Sequence, residues 1–191
     1  MSPALPDPRA WGARPEEMAT AYPCDGLLTG DVEEWFRAVT VRADRATVFR
    51  WLCQLKVAPY SYDLLDNFGR RSPRKLTPGA DALETGQRVM TIFELTGFER
   101  DRHLTVRLDT PWARRAFGGF ALSYTVRDEG RDSTRLVVKL LVRTGSGPIR
   151  SLRGRGMAWG DLMMMRRQLR TLGGLAETVG RQPPGSVHRA S

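Results

Sequence analysis

Apolar and polar residues alternate with the two-residue period of β-strands over five segments of the chain. The predicted strands are Glu34–Val41, Gln87–Leu95, His103–Leu108, Phe120–Arg127 and Thr134–Arg143. In the last of them, the apolar residues at 136, 138, 140 and 142 share one face. The connections, such as DEGRDS at 128–133, are short and polar, which indicates antiparallel hairpins rather than helical crossovers.

A helical period replaces this alternation in three places. The longest helix is predicted over 155–178, where apolar side chains recur every three or four residues in one stripe. That stripe consists of Ala158, Leu162, Met165, Leu169, Leu172, Ala176 and Val179, and Met157, Trp159 and Met164 widen it. A second helix follows the N-capping Asp44 and runs to about Leu55, and a short third helix is predicted over Tyr62–Asn67.

The order of these elements predicts an α+β fold. It runs from one strand through two short helices and four antiparallel strands to a long helix, which suits a curved sheet wrapped around the final helix. Residues 1–21, rich in Pro, Ala, Arg and Glu, are expected to form a flexible N-terminal arm. The folded domain is expected over 22–179, and the polar tail 180–191 is expected to be disordered.

The net charge of +9 at pH 7 raises the question of a nucleic-acid partner. Arginine supplies 27 of the 30 basic residues, as a GC-rich genome would produce, and the arginines are dispersed along the chain. A dedicated nucleic-acid binder concentrates its basic residues on one surface and interleaves aromatic residues with them. We therefore expect no nucleic-acid partner, while peripheral contact with a membrane surface stays open as an alternative.

Location and cofactors are inferred from signals that the sequence lacks. No apolar run approaches the roughly 18 residues of a transmembrane helix, and the first residues carry no secretory signal. Cys24 and Cys53 do not have the spacing of a metal site, so we expect reduced thiols in a cytoplasmic protein. His103 and His188 are the only histidines, and nucleotide-binding motifs are absent. We expect neither a metal nor another cofactor.

Four segments carry a resemblance to a known superfamily. They are WLCQL at 51–55, DALETGQRV at 81–89, STRLVVKL at 133–140 and DLMMMRRQLRTLGGLAE at 161–177. Together with the order of elements, they resemble the SRPBCC superfamily, which includes the birch pollen allergen, START-like lipid-transfer domains and polyketide aromatase/cyclases. The likeness is greatest to actinobacterial members that share PYSYD-x-x-DN-x-GR-x-S, here at 59–72. The resemblance implies the helix-grip fold and a deep apolar cavity between the sheet and the final helix.

Polar residues near that expected cavity are the candidates for chemistry. Burial against apolar walls would disfavour the charged form of Asp63, whereas the alternative is an ion pair with a nearby arginine. Asp161 either projects into the cavity mouth or forms a salt bridge, and Tyr124 lies either in the core or in the cavity wall. The catalytic candidates are therefore Asp63, Tyr124 and Asp161. The predicted ligand-binding residues are Trp51, Tyr60, Tyr62, Asp63, Phe93, Tyr124, Met157, Asp161, Met164, Met165 and Gln168.

Three hypotheses about function follow. The favoured one is a carrier or sequestering protein that binds an apolar or amphipathic small molecule, such as a lipid, an isoprenoid or a polyketide. The second is an enzyme of the aromatase/cyclase kind that uses tyrosine or aspartate groups of the cavity. The third is an interaction module whose basic loops contact an acidic partner or a membrane surface. No oligomeric state is predicted.

Overall fold

The computed structural model describes residues 7–61, 72–143 and 148–180. Its strands are β1 Ala10–Trp11, β2 Val32–Val41, β3 Arg88–Val89, β4 Phe93–Glu99, β5 His103–Leu108, β6 Phe120–Asp128 and β7 Thr134–Arg143. Its helices are α1 Pro15–Met18, α2 Arg45–Cys53, α3 Pro111–Phe117 and α4 Pro148–Gly180, with a 3-10 turn at Gln54–Lys56. The described strands form one sheet in the order β1-β2-β7-β6-β5-β4-β3, antiparallel except for the parallel β1–β2 pair.

Helices α2 and α4 cover one face of the sheet, which we call the inner face. The strand side chains on this face alternate as predicted, so that Trp35 of β2 and Leu136 and Val138 of β7 are all completely buried. They pack against Leu52 of α2 and Leu169 of α4. The predicted α+β helix-grip fold is therefore confirmed.

Helix α4 buries the predicted stripe except for Val179, which is 38% exposed, and the helix begins about two turns earlier than predicted. Leu162, Met165 and Leu169 face the sheet. Met164 and Trp159 do not widen the stripe, because their side chains are 39% and 41% exposed. At 100° per residue, Met164 is rotated away from the sheet although its neighbour Met165 points toward it.

The prediction of one continuous strand over Gln87–Leu95 is wrong, because the structure has two strands there, β3 and β4. The backbone reverses between β3 and β4, where Met90 and Thr91 have φ angles of 48° and 68°. This left-handed region is rare for residues other than glycine, and especially for β-branched residues such as threonine. The amide of Met90 donates to the Leu55 carbonyl at 3.0 Å, which ties the reversal to the end of α2 and its 3-10 turn. Periodicity alone does not reveal a reversal that a distant carbonyl stabilises.

The opposite, outer face of the sheet is also buried, in the region of β2, β6 and β7. Phe36, Val137 and Leu141 lie on this face and are covered by Tyr22 and Cys24 of the N-terminal segment. The structure thus differs from the predicted flexible arm over residues 7–21. This part of the chain contains β1 and α1, and it folds because the outer face of the sheet offers apolar residues to cover.

One buried ion pair holds the N-terminal segment to the sheet. The Nε and Nη2 atoms of Arg135 in β7 donate to the two carboxylate oxygens of Glu17 in α1, at 2.6 and 2.9 Å. Arg135 also donates to the Gly12 carbonyl at 2.6 Å and to the Thr40 hydroxyl at 3.2 Å. Burial opposes ionisation of Glu17, yet the hydrogen bonds from Arg135 and from the Arg14 backbone keep its pKa below the ordinary value.

We predict that Glu17→Ala lowers the free energy of unfolding by about 3–5 kcal/mol, because it leaves the guanidinium of Arg135 buried without its counter-charge. Urea unfolding followed by circular dichroism measures this change. The control is Glu99→Ala, which breaks the exposed pair with Arg102 and should cost less than about 1 kcal/mol. Equal, small effects of the two substitutions would contradict the role given to the Glu17–Arg135 pair.

Candidate functional site

A groove of about 480 Å³ opens between β2 and the C-terminal half of α4. Trp11 of β1 and Val39 of β2 give it apolar surface, with Val41 of β2 and Leu169 of α4 buried beneath them. Its volume lies within the range of about 300–1,000 Å³ that small-molecule sites usually have. The groove therefore has the size of a small-molecule site, with a lining that is about half polar.

Two adjacent glycines shape the helical wall of this groove. A Cβ atom on Gly173 would lie 3.1 Å from the Val41 side chain, so this glycine allows the helix to approach the strand closely. A Cβ atom on Gly174 would have no atom within 4 Å and would point into open space. The groove is thus open at Gly174 because a side chain is missing there.

Charged groups form the rim of the groove. The Cζ atom of Arg170 lies 5.6 Å from the centroid of the Trp11 ring, in a cation–π arrangement. Glu177 accepts a hydrogen bond of 3.0 Å from the Arg42 backbone. Arg135 also lines the rim, although its guanidinium is bonded to Glu17. A lining that is partly apolar, with charged margins, suits an amphipathic ligand better than a purely polar one.

A buried ion pair lies beside the groove on the inner face of β2. Arg37 shares that face with Val39, its side chain is completely buried, and its Nη2 atom donates to Asp161 Oδ2 of α4 at 2.8 Å. Its Nη1 atom donates to the Phe36 carbonyl at 2.8 Å, and its Cζ atom lies 5.9 Å from the Trp35 ring. Within the described chain, its Nε atom has no hydrogen-bond partner.

Burial governs the protonation of this pair. Desolvation raises the pKa of Asp161 to about 6, although the guanidinium of Arg37 acts in the opposite direction. Desolvation likewise lowers the pKa of Arg37 from its ordinary value. The pKa of the Asp161 carboxyl group is therefore closer to neutral pH than that of an exposed aspartate.

A second polar group lies further along α4. The Tyr124 hydroxyl donates to the side-chain carbonyl of Gln168 at 2.7 Å, and the Gln168 amide donates to the Pro59 carbonyl at 2.6 Å. Met90 and Met165 lie beside the tyrosine hydroxyl, with sulfur–oxygen distances of 3.9 and 4.0 Å. Desolvation raises the pKa of Tyr124 well above its ordinary value, so the phenol stays protonated and acts as a donor.

None of the predicted ligand-binding residues that the structure describes lines the groove. Trp51 and Tyr60 are buried and in edge-to-face contact at 6.3 Å, and Phe93 and Met157 are half-buried against the same core. The indole Nε1 of Trp51 is buried and has no hydrogen-bond partner in the described part of the chain. Met164 does not belong with them, because helix geometry turns it toward the solvent. Tyr62 and Asp63 lie outside the described residues.

Sequence reasoning missed Trp11, Arg37 and Gly174. Trp11 fell within the segment predicted to be flexible. The alternation placed Arg37 on the apolar face of its strand. A charged residue in that position indicates a buried ion pair, because a buried charge needs a partner. Asp161, inside the apolar stripe of α4, gave the complementary signal. Gly174 carried no signal of its own, since its importance comes from the neighbouring strand.

The cysteines and the second cavity lie apart from the groove. Cys24 and Cys53 are free and buried, and burial raises the pKa of the Cys53 thiol to about 12. Among the described residues, no three His, Cys, Asp or Glu side chains come together as a metal site would require. A second cavity of about 240 Å³ lies between Phe49 of α2 and Phe98 of β4, away from Tyr124 and Asp161.

Solved structures of similar topology cover most of the chain at low sequence identity. A self-sacrificing resistance protein, CalC from Micromonospora echinospora, is 18% identical with a TM-score of 0.48, covering 80% of this chain and 98% of that one. A START superfamily protein from Mycobacterium smegmatis is 16% identical with a TM-score of 0.45, covering 78% and 99%. Zhui aromatase/cyclase from a Streptomyces species is 15% identical with a TM-score of 0.41, covering 81% and 99%.

The chain has an α+β helix-grip fold. This assignment rests on the strand order and the closing helix described above. No protein-family model and no curated protein matches the sequence. No helix in the described part of this helix-grip protein is long and apolar enough to cross a membrane.

We predict that Asp161→Asn changes the pH dependence of stability. A carboxyl group whose pKa is raised on folding stabilises the fold at acidic pH, and that contribution is lost as the pH rises through about 6. Asparagine does not ionise, so the stability of the variant relative to the parent should rise by about 2–3 kcal/mol between about pH 4 and pH 8. Urea unfolding across this range, with the exposed Asp109→Asn as control, measures it. A pH-independent difference would contradict the assigned protonation.

Proposed function

We propose that this protein binds an apolar or amphipathic small molecule, such as a lipid, an isoprenoid or a polyketide, as a carrier or sequestering protein. The observation that supports the proposal is the groove of about 480 Å³ between β2 and α4. Its lining combines apolar and polar groups, its rim is charged, and a sheet and a helix hold it from two sides. Affinity would come from removing apolar surface from water, at about 25 cal/mol per Å² before the costs of association.

The orientation of the ligand would come from the charged groups around the groove. Arg170 lies at the rim above Trp11, where it can meet an acidic or hydroxyl head group. A cationic group at the rim of a partly apolar groove favours a molecule with an apolar body and an acidic end.

We predict that Gly174→Leu abolishes ligand binding while the protein stays folded. The added side chain would enter the open groove, and replacing an exposed helical glycine should stabilise the helix by about 0.5–1 kcal/mol. The matched control is Gly160→Leu, which lies on the same helix, has equally open space and does not line the groove. Native mass spectrometry of protein purified from an actinobacterial host, followed by extraction of the ligand, measures occupancy.

The outcomes of this experiment separate cleanly. A co-purifying apolar molecule on the parent and on Gly160→Leu, but not on Gly174→Leu, supports the groove as the site. Equal occupancy of all three proteins would place the ligand elsewhere. Consistently empty parent protein, which also fails to take up a fatty acid such as decanoate, would refute the proposal.

A second candidate function, cyclase or dehydratase chemistry, is favoured by the proton-exchanging Asp161 in an interior that also contains Tyr124. In this version the aspartate would move a proton while the protonated tyrosine donates a hydrogen bond to a developing oxyanion. Incubating the extracted ligand with the protein and following its mass tests for turnover. Tyr124→Phe should then reduce turnover by about 100-fold or more, while Ser123→Ala, its neighbour on the opposite face of β6, should not.

A further inference from the structure

The solvent-facing side of α4 combines apolar and basic residues in an unusual way. Trp159 is 41% exposed and Met163, one turn later, is 59% exposed. Arg166, Arg167 and Arg170 continue the same side of the helix and are also exposed. We call these five residues the basic-apolar face. Single exposed apolar residues are ordinary, but a tryptophan and a methionine one turn apart beside three arginines form a continuous surface.

The charge of this helix is strongly one-sided. Helix α4 contains six arginines and two acidic residues, Asp161 and Glu177. Asp161 is turned toward the sheet and paired with the buried Arg37, and Glu177 accepts from the Arg42 backbone. The side of the helix that carries Arg166, Arg167 and Arg170 is therefore cationic, which complements an anionic surface rather than a neutral one.

The arginine side chains are held in place at this surface. The Cζ atoms of Arg166 and Arg170 both lie 5.6 Å from the centroid of the Trp11 ring. Arg167 donates from Nε to the Ser61 carbonyl at 2.8 Å. Because their positions are already restricted, they lose less side-chain entropy on meeting an anion than free arginines would.

We propose that the basic-apolar face docks this protein on an anionic lipid bilayer. Trp159 and Met163 would enter the interfacial region of the bilayer, where tryptophan is favoured, and the arginines would contact lipid phosphates. Duplex DNA would use the arginines alone, whereas a bilayer uses the exposed tryptophan and methionine as well. The face shares only Arg170 with the groove, and Trp159 and Met163 do not line it, so an empty groove and a loss of docking on changing these two residues are separate results.

Sedimentation with vesicles tests the docking of the full chain. Vesicles of phosphatidylglycerol and phosphatidylcholine in equal parts should bind the protein, and high salt should release it. Vesicles of phosphatidylcholine alone should bind at least about tenfold more weakly. Failure to bind the anionic vesicles at low salt would overturn the proposal.

Two sets of variants identify the surface. Trp159→Ser with Met163→Ser should weaken binding by at least about fivefold, whereas Phe98→Ser, at a 37% exposed position on β4, should have little effect. Arg166→Gln, Arg167→Gln and Arg170→Gln together should weaken it by at least about tenfold. The matched set Arg50→Gln, Arg88→Gln and Arg100→Gln removes the same charge from exposed positions outside α4 and should change it less than about twofold.

Three outcomes would count against a bilayer. Equal losses from the two arginine sets would mean that only the net charge matters. Tighter binding to duplex DNA than to vesicles, unaffected by the Trp159 and Met163 changes, would indicate a nucleic-acid surface. A dimer in analytical ultracentrifugation that these two changes dissociate would indicate a second copy of the chain.

Discussion

The strands at the centre of the sheet are apolar on both faces, and the rest of the structure depends on covering both of them. Strand β7 shows this most clearly, because Val138 and Leu140 are buried on the inner face while Val137 and Leu141 are buried on the outer one. The long helix α4 and the short helix α2 cover the inner face. The outer face needs the N-terminal segment, which the Glu17–Arg135 pair holds in place.

The same constraint explains why the candidate site lies where it does. Strand β1 is only two residues long and pairs with Phe36 and Arg37 of β2. Among the described strands, none lies beside the later residues of β2 on that edge. Helix α4 crosses the uncovered part of β2 with two glycines, and the groove forms between them. Two pairs of polar groups lie in this interior, Arg37 with Asp161 and Tyr124 with Gln168, because an unpaired buried charge or hydroxyl would destabilise the fold. The pairs thus keep polar atoms inside an apolar interior.

Local patterns predicted the fold well and the site less well. Strands β5 and β7 have the predicted bounds because their alternation is regular and set by burial. The break after β3 depends on a hydrogen bond to Leu55, and the folding of residues 7–21 depends on Arg135, which is 118 residues from Glu17. Such contacts leave no periodic signal in either partner. Met164 was misplaced because a one-residue step on a helix rotates a side chain by about 100°.

We expect an apolar ligand to bind between β2 and α4, and methyl NMR with decanoate as the probe measures this. Binding there gives chemical-shift changes and cross-relaxation between the decanoate chain and the methyl groups of Val39, Val41 and Leu169. The methyl groups of Val137, on the outer face, should not respond. Cross-relaxation confined to Leu83 in the second cavity, or no response of any groove methyl group at saturating decanoate, would rule out a ligand site between β2 and α4.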